Sequence, residues 1–142
     1  MIRTTACLAL IVLAVTANRA SAEQLLFPDD PTMAALGQII YDAECASCHG
    51  ANLEGQEDWR TRRPDGRLPA PPHDETGHTW HHSDRHLFEI TKFGVQHFAG
   101  ADYPSDMPAY GDRLTDAEII AVLSYIKSTW PEDIRRRHDQ MN

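Results

Sequence analysis

The chain has 142 residues, of which 42% are hydrophobic and 24% charged, and its formal net charge is −8 at pH 7. This length is that of one small domain, and the negative charge disfavours binding to nucleic acid or to anionic membrane surfaces. The same charge serves either simple solubility or attraction to a partner with a basic docking face.

The first 22 residues have the pattern of an export signal. A basic start precedes an apolar run from Ala6 to Ala17, and Ala20-Ser21-Ala22 is a small-x-small cleavage site. The run is too short to span a bilayer. An uncleaved N-terminal anchor is the alternative, but Asn18 and Arg19 interrupt the apolar stretch. We therefore expect residues 1–22 to be a cleaved signal peptide.

Asp30 and Pro31 predict the start of the first helix of the mature chain, as an N-cap carboxylate followed by proline at the first helical position. Residues at helical spacing then predict one buried face, formed by Met33, Leu36, Gly37, Ile40 and Tyr41. A glycine in that face would let another helix approach closely.

The sequence Cys45-Ala46-Ser47-Cys48-His49 follows this helix and has the C-x-x-C-H pattern of a covalent haem attachment site. Two thiols at this spacing can each add to one vinyl group of a porphyrin, and His49 can then bind the iron axially. The third cysteine, Cys7, would leave with the signal peptide, so we expect no structural disulfide. A dithiol redox pair or half of a zinc site are the alternatives. The redox pair lacks a preceding strand, whereas histidines elsewhere could complete a zinc site.

Residues 59–82 are rich in proline and glycine, which predicts a long irregular loop. A loop of this length in a small domain is usually functional, and here we expect it to wrap the haem edge. Its indole and guanidinium groups are candidates to contact the haem propionates, with solvated loop charge as the alternative. These candidates are Trp59, Arg60, Arg62 and Arg63.

Five histidines fall within the same region, namely His73, His78, His81, His82 and His86. Imidazole is a common ligand of copper and zinc, so a second metal site or a role in metal delivery is one hypothesis. The other is that these rings cover the haem edge or bond to the propionates.

Two more helices are predicted from their ends. Ser83 caps a short helix that begins at Asp84 and ends at Gly94. The capping box Thr115-Asp116-Ala117-Glu118 opens the clearest helix in the chain, which ends at Trp130-Pro131. The apolar face of this last helix is formed by Ile119, Val122, Leu123 and Ile126.

Met107 lies in a loop between these two helices and is the candidate for the sixth iron ligand. Pro104 and Pro108 restrict the loop, which reduces the conformational entropy lost when it is ordered. A methionine opposite a histidine raises the reduction potential relative to two histidines, and it leaves no open position for oxygen or peroxide. The alternative is that His97, or one of the five clustered histidines, takes this position.

Together, the attachment motif, the Met107-Pro108 loop and the capped helix containing Tyr125-Ile126 resemble class I monohaem cytochrome c of the bacterial, periplasmic type. The resemblance covers about residues 31–130. It implies an all-α fold in which the first and last helices cross around one covalently bound haem c. In that crossing, Gly37 and Tyr41 would meet the helix face that carries Leu123 and Ile126.

The resemblance also implies the functional residues: Cys45 and Cys48 attach the haem, and His49 and Met107 are its axial ligands. The chain is then expected to be a periplasmic one-electron carrier, with a mature domain of residues 23–142, no transmembrane segment and no enzymatic activity of its own. Its partners would be redox proteins. Because the long loop departs from a minimal family member, two alternatives stay open: a haem subunit of a larger oxidoreductase complex, and a histidine-rich, copper-handling cytochrome.

Overall fold

The computed structural model describes residues 24–142, and within that range it consists of helices and loops without strands. The predicted signal peptide, residues 1–22, lies outside the described residues. The helices are α1 (Pro31–Glu44), α2 (Ala46–His49), a 3₁₀ helix (Thr79–His81), α3 (Asp84–Phe93), α4 (Gln96–Ala99), α5 (Asp116–Thr129) and α6 (Glu132–Asp139). The prediction of an all-α fold is confirmed. From residue 24 onward, no helix has the length and apolar character needed to cross a bilayer.

The predicted helix starts are confirmed by capping hydrogen bonds. The carboxylate of Asp30 accepts the N–H groups of the first turn of α1, at 2.8 Å from Thr32 N. The Ser83 hydroxyl accepts the N–H of the third residue of α3 at 3.3 Å. At α5, Thr115 and Glu118 form both halves of the capping box. Local sequence therefore determines where the three longest helices of the domain core begin.

Helices α1 and α5 cross at Gly37, which is buried. A Cβ atom at this position would lie 2.6 Å from the carbonyl carbon of Ala121 and 2.7 Å from the Cβ of Tyr125. One turn later, the Tyr41 ring packs against the ring of Tyr125, with centroids 5.6 Å apart. The Tyr41 hydroxyl donates a hydrogen bond to the carbonyl of Gly50 at 2.8 Å. The two backbones therefore approach too closely for any side chain at residue 37.

Two details of the predicted packing are wrong. The nearest neighbours of Gly37 belong to Ala121 and Tyr125, whereas Leu123 and Ile126 line a cavity on another side of α5. Leu36 is 43% exposed, although its spacing placed it on the buried face of α1. A helix that contacts one neighbour at a glycine buries a narrow stripe, and Leu36 lies outside that stripe.

A buried ionic network attaches α6 to the rest of the domain. The ammonium group of Lys127 in α5 lies 3.3 Å from Asp84 at the start of α3 and 2.7 Å from Asp139 in α6. The ring of His138 is fully buried, and its Nε2 lies 3.5 Å from the same Asp84 carboxylate. Because buried charges need partners, this network fixes the position of α6 against α3 and α5.

Candidate haem-binding site

The attachment motif and the Met107 loop line one cavity of about 320 Å³. The cavity is bordered by Cys45, by Cys48 and His49 of α2, and by Met107 from the loop before α5. The remaining wall is mainly apolar but includes polar groups such as Arg63, His82 and Asp106. Its apolar residues include Leu68, Pro69, Ala70, Pro71, Leu87, Ile90, Val95, Val122, Leu123 and Ile126. This cavity combines two thiols, which can attach a haem covalently, with an imidazole and a thioether, which can bind its iron.

The cysteine motif begins at Cys45, directly after α1, and its other four residues form the separate one-turn helix α2. The Tyr110 hydroxyl donates a hydrogen bond of 2.8 Å to the carbonyl of Glu44. That carbonyl would otherwise accept from the N–H of Cys48, which instead bonds to the carbonyl of Cys45 at 3.1 Å. The helix therefore breaks at Cys45, and the motif forms a turn of its own bordering the cavity.

His49 is held in an orientation suited to metal binding. Its ring is buried, and Nδ1 lies 2.8 Å from the carbonyl oxygen of Pro71. A carbonyl only accepts, so Nδ1 carries the proton and Nε2 is left with a free lone pair. Burial lowers the pKa of His49, and the Pro71 hydrogen bond opposes that shift. Sequence reasoning did not identify Pro71, because every residue offers a backbone carbonyl.

The non-haem interpretations of the cysteines gain no support. Burial, together with the neighbouring Glu44 and Cys48, raises the pKa of the Cys45 thiol to about 11. A redox-active dithiol needs a lowered pKa, so this environment is the wrong one for it. Across residues 24–142, no group of three or more His, Cys, Asp or Glu side chains is arranged to hold a metal ion.

The loop that carries Met107 is held by the irregular segment before it in the chain. The N–H of Met107 donates to the hydroxyl of Ser105 at 3.1 Å. The carboxylate of Asp106 lies 3.4 Å from Arg63 Nη1 and 2.9 Å from Arg67 Nε. Met107 therefore directly follows Asp106, whose carboxylate is held by two arginines from outside the loop.

The four residues predicted to contact the haem propionates differ in their position relative to the cavity. Arg60 lies over the ring of Trp59, 4.1 Å from its centroid. Arg62 donates to the carbonyl of Gly66 at 2.6 Å. These three candidate side chains lie off the cavity wall, whereas Arg63 lines it. Their contact with propionates stays a prediction, and Arg63 is the guanidinium closest to the cavity.

The clustered histidines pack against one another and against neighbouring aromatic rings, some of them stacked and some edge-on. The His78 and His82 rings lie 5.4 Å apart, and those of His82 and His86 lie 4.7 Å apart. His73 stacks on His49 at 3.9 Å, so it borders the cavity on the same side as the attachment motif. Of the six histidines considered as rivals of Met107, those that line the cavity are His73, His78 and His82. His97 lies off the cavity, between Phe93 and Phe98.

Comparison with known proteins identifies the family of the chain. Residues 34–130 match the family model described as Cytochrome c, which is more than half of the chain. The chain belongs to the cytochrome c family, whose members carry covalently bound haem c and transfer electrons. A search of curated proteins and one of solved structures found no match.

Proposed function

We propose that the chain is an exported, monohaem electron carrier of the bacterial class I type, working in the periplasm. In this proposal residues 1–22 are removed on export, and the mature domain of residues 23–142 has its core at about 31–130. The haem is attached to Cys45 and Cys48. One electron enters and leaves through the haem edge, and no substrate is chemically altered.

The observation that carries the proposal is that the attachment motif and Met107 border one apolar cavity. When bound there, a haem supplies a one-electron iron couple. His49 is fixed by its 2.8 Å hydrogen bond to Pro71, so its Nε2 can serve as one axial ligand without reorientation. Met107 is proposed as the other, which would raise the potential relative to a second histidine.

The surrounding residues support electron transfer rather than catalysis. Side chains such as Leu87, Val122 and Ile126 exclude water from the cavity, which keeps the charge change of the iron in a dry, rigid environment. Cys48 is exposed, so the attached edge of the porphyrin would be near the surface, where a redox partner can reach it. The acidic composition favours a partner with a basic docking face.

Replacing Met107 with alanine is expected to leave the haem attached but to lower its reduction potential by on the order of 0.1 V and to open a coordination position. The reason is that a water molecule or no ligand would replace the thioether. The measurement is a redox titration combined with a visible spectrum, including the weak long-wavelength band of methionine-ligated ferric haem. Met33→Ala is the matched control, since that methionine lies on α1 and does not line the cavity.

An unchanged potential and spectrum in Met107→Ala would refute methionine ligation and would point to His78 or His82, which also line the cavity.

The same purified protein shows whether the chain is part of a larger complex. A second chain that co-purifies at fixed stoichiometry would identify the protein as the haem subunit of a larger oxidoreductase rather than a free carrier.

A further inference from the structure

The segment from Gly100 to Pro108, which carries Met107, contains no regular helix. Within the segment, Asp106 is the acidic residue that forms ion pairs; Asp102, four residues earlier, is exposed and forms none in the described part of the chain. The position of the thioether therefore depends on contacts made by its neighbours rather than on a helical backbone.

The two arginines that meet Asp106 are themselves held in place. The N–H of Arg63 donates to the carbonyl of Arg67 at 2.8 Å, which closes a turn with both side chains on it. The guanidinium of Arg63 also donates to Gln56 Oε1 at 2.9 Å, and Arg67 pairs with Asp65 at 3.2 Å. Both guanidinium groups are thus oriented before they contact the Met107 loop, so little further side-chain entropy is lost on pairing.

A third arginine holds an earlier part of the same loop. Arg62 donates to the hydroxyl of Tyr103 at 3.3 Å, and its guanidinium lies 5.2 Å from the centre of that ring. The side-chain amide of Gln96 in α4 donates to the carbonyl of Tyr103 at 3.3 Å. The loop is therefore held at two points that precede Met107 in the chain, at Tyr103 and at Asp106.

We infer that Asp106, held by Arg63 and Arg67, is a positioning residue that keeps Met107 over the cavity and so controls access of outside ligands to the sixth iron position. This inference rests on the proposed ligation by Met107. The ion pairs are about half exposed, with side-chain exposures of 43% and 57% for Arg63 and Asp106. Exposed pairs contribute little to global stability and weaken with added salt. Their effect is on the local opening of this loop.

The test uses the haem-loaded protein and titrates its ferric form with imidazole, which binds iron only where the sixth position opens. Asp106→Asn removes both ion pairs at once and is expected to raise the imidazole affinity about tenfold. The affinity of the unmodified protein should rise as KCl is added, because salt screens the pairs, and Asp106→Asn should lose that dependence. The matched control is Asp102→Asn, which should behave like the unmodified protein.

A double variant distinguishes an effect of Asp106 on the position of Met107 from a general structural effect of Asp106. If Asp106 acts through Met107, Asp106→Asn adds nothing to the imidazole affinity once Met107→Ala has already opened the position. Additive effects of the two changes would overturn the inference, as would identical affinities and salt dependence in Asp106→Asn and Asp102→Asn. Failure of the proposed function looks different, because Met107→Ala alone would then leave the potential and the imidazole affinity unchanged.

Discussion

Replacing His49 with alanine is expected to abolish the low-spin haem spectrum while leaving the porphyrin attached to the protein. His49 is buried at the cavity and directly follows Cys48 in the chain. Its Nδ1 is hydrogen-bonded to the carbonyl of Pro71, which leaves the lone pair of Nε2 free to bind the iron. In the proposed ligation, loss of the His49 imidazole would leave Met107 as the one protein ligand of the iron, and the thioether alone gives too weak a ligand field to keep the iron low-spin. The visible spectrum of the purified variant measures this directly.

The matched control is His81→Ala, because His81 is exposed, stacks on Trp80 and does not border the cavity. It should retain the low-spin spectrum. Adding imidazole to His49→Ala should restore that spectrum, since the small ligand can occupy the space left by the missing ring. A low-spin spectrum in His49→Ala without added ligand would contradict the assignment, and His73, stacked on His49 at 3.9 Å, would then be the residue to test.

Replacing Gly37 with alanine is expected to destabilise the fold by about 3 kcal/mol or more, because the added methyl would overlap the carbonyl of Ala121. Backbone atoms of α5 cannot shift cheaply, since Val122 and Ile126 of the same helix are buried in the core. The sign of this effect is informative. In a helix without a close neighbour, the same change would increase the free energy of unfolding by about 1 kcal/mol.

Denaturant unfolding of the haem-loaded protein measures this change. The control is Gln38→Ala, which adds a good helix former one position later, on the exposed side of α1. That variant should unfold at the same or a higher denaturant concentration. A Gly37→Ala protein as stable as the Gln38→Ala control would show that α1 and α5 do not approach as closely as described.

The helices could be predicted because their signals are local. Asp30, Ser83 and Thr115 each cap the helix that follows by bonding to N–H groups two or three residues away. Such contacts form between residues that are close in sequence, so they do not depend on the rest of the fold. The short helix α4 has no side-chain cap at its start, and it was not predicted.

The contacts between distant segments could not be predicted in the same way. Periodicity identified the apolar side of α1 but not that its contact stripe would exclude Leu36, which is 43% exposed. The pairing of Asp106 with Arg63 joins residues 43 positions apart, and no local pattern signals it. Arginines in a loop are equally consistent with solvated charge, so the sequence alone does not identify the acidic residue with which each one pairs.

In the candidate site, too, the residues with a local sequence signal could be predicted and the contacts between distant segments could not. Cys45, Cys48 and His49 form a contiguous motif with one strong interpretation, so they could be named from the sequence. Met107 could be predicted from its proline-flanked loop, and it borders the same cavity as the motif. The carbonyl of Pro71, which holds His49, carries no sequence signal because it belongs to the backbone.

The most direct test of the central claim is an acid–acetone extraction of the exported protein, followed by mass spectrometry and a thiol titration. We predict that the colour stays with the polypeptide, that its mass equals residues 23–142 plus one haem, and that no free thiol is found. Colour that moves entirely into the acetone, leaving Cys45 and Cys48 as two titratable thiols, would contradict covalent attachment and with it the proposed electron carrier.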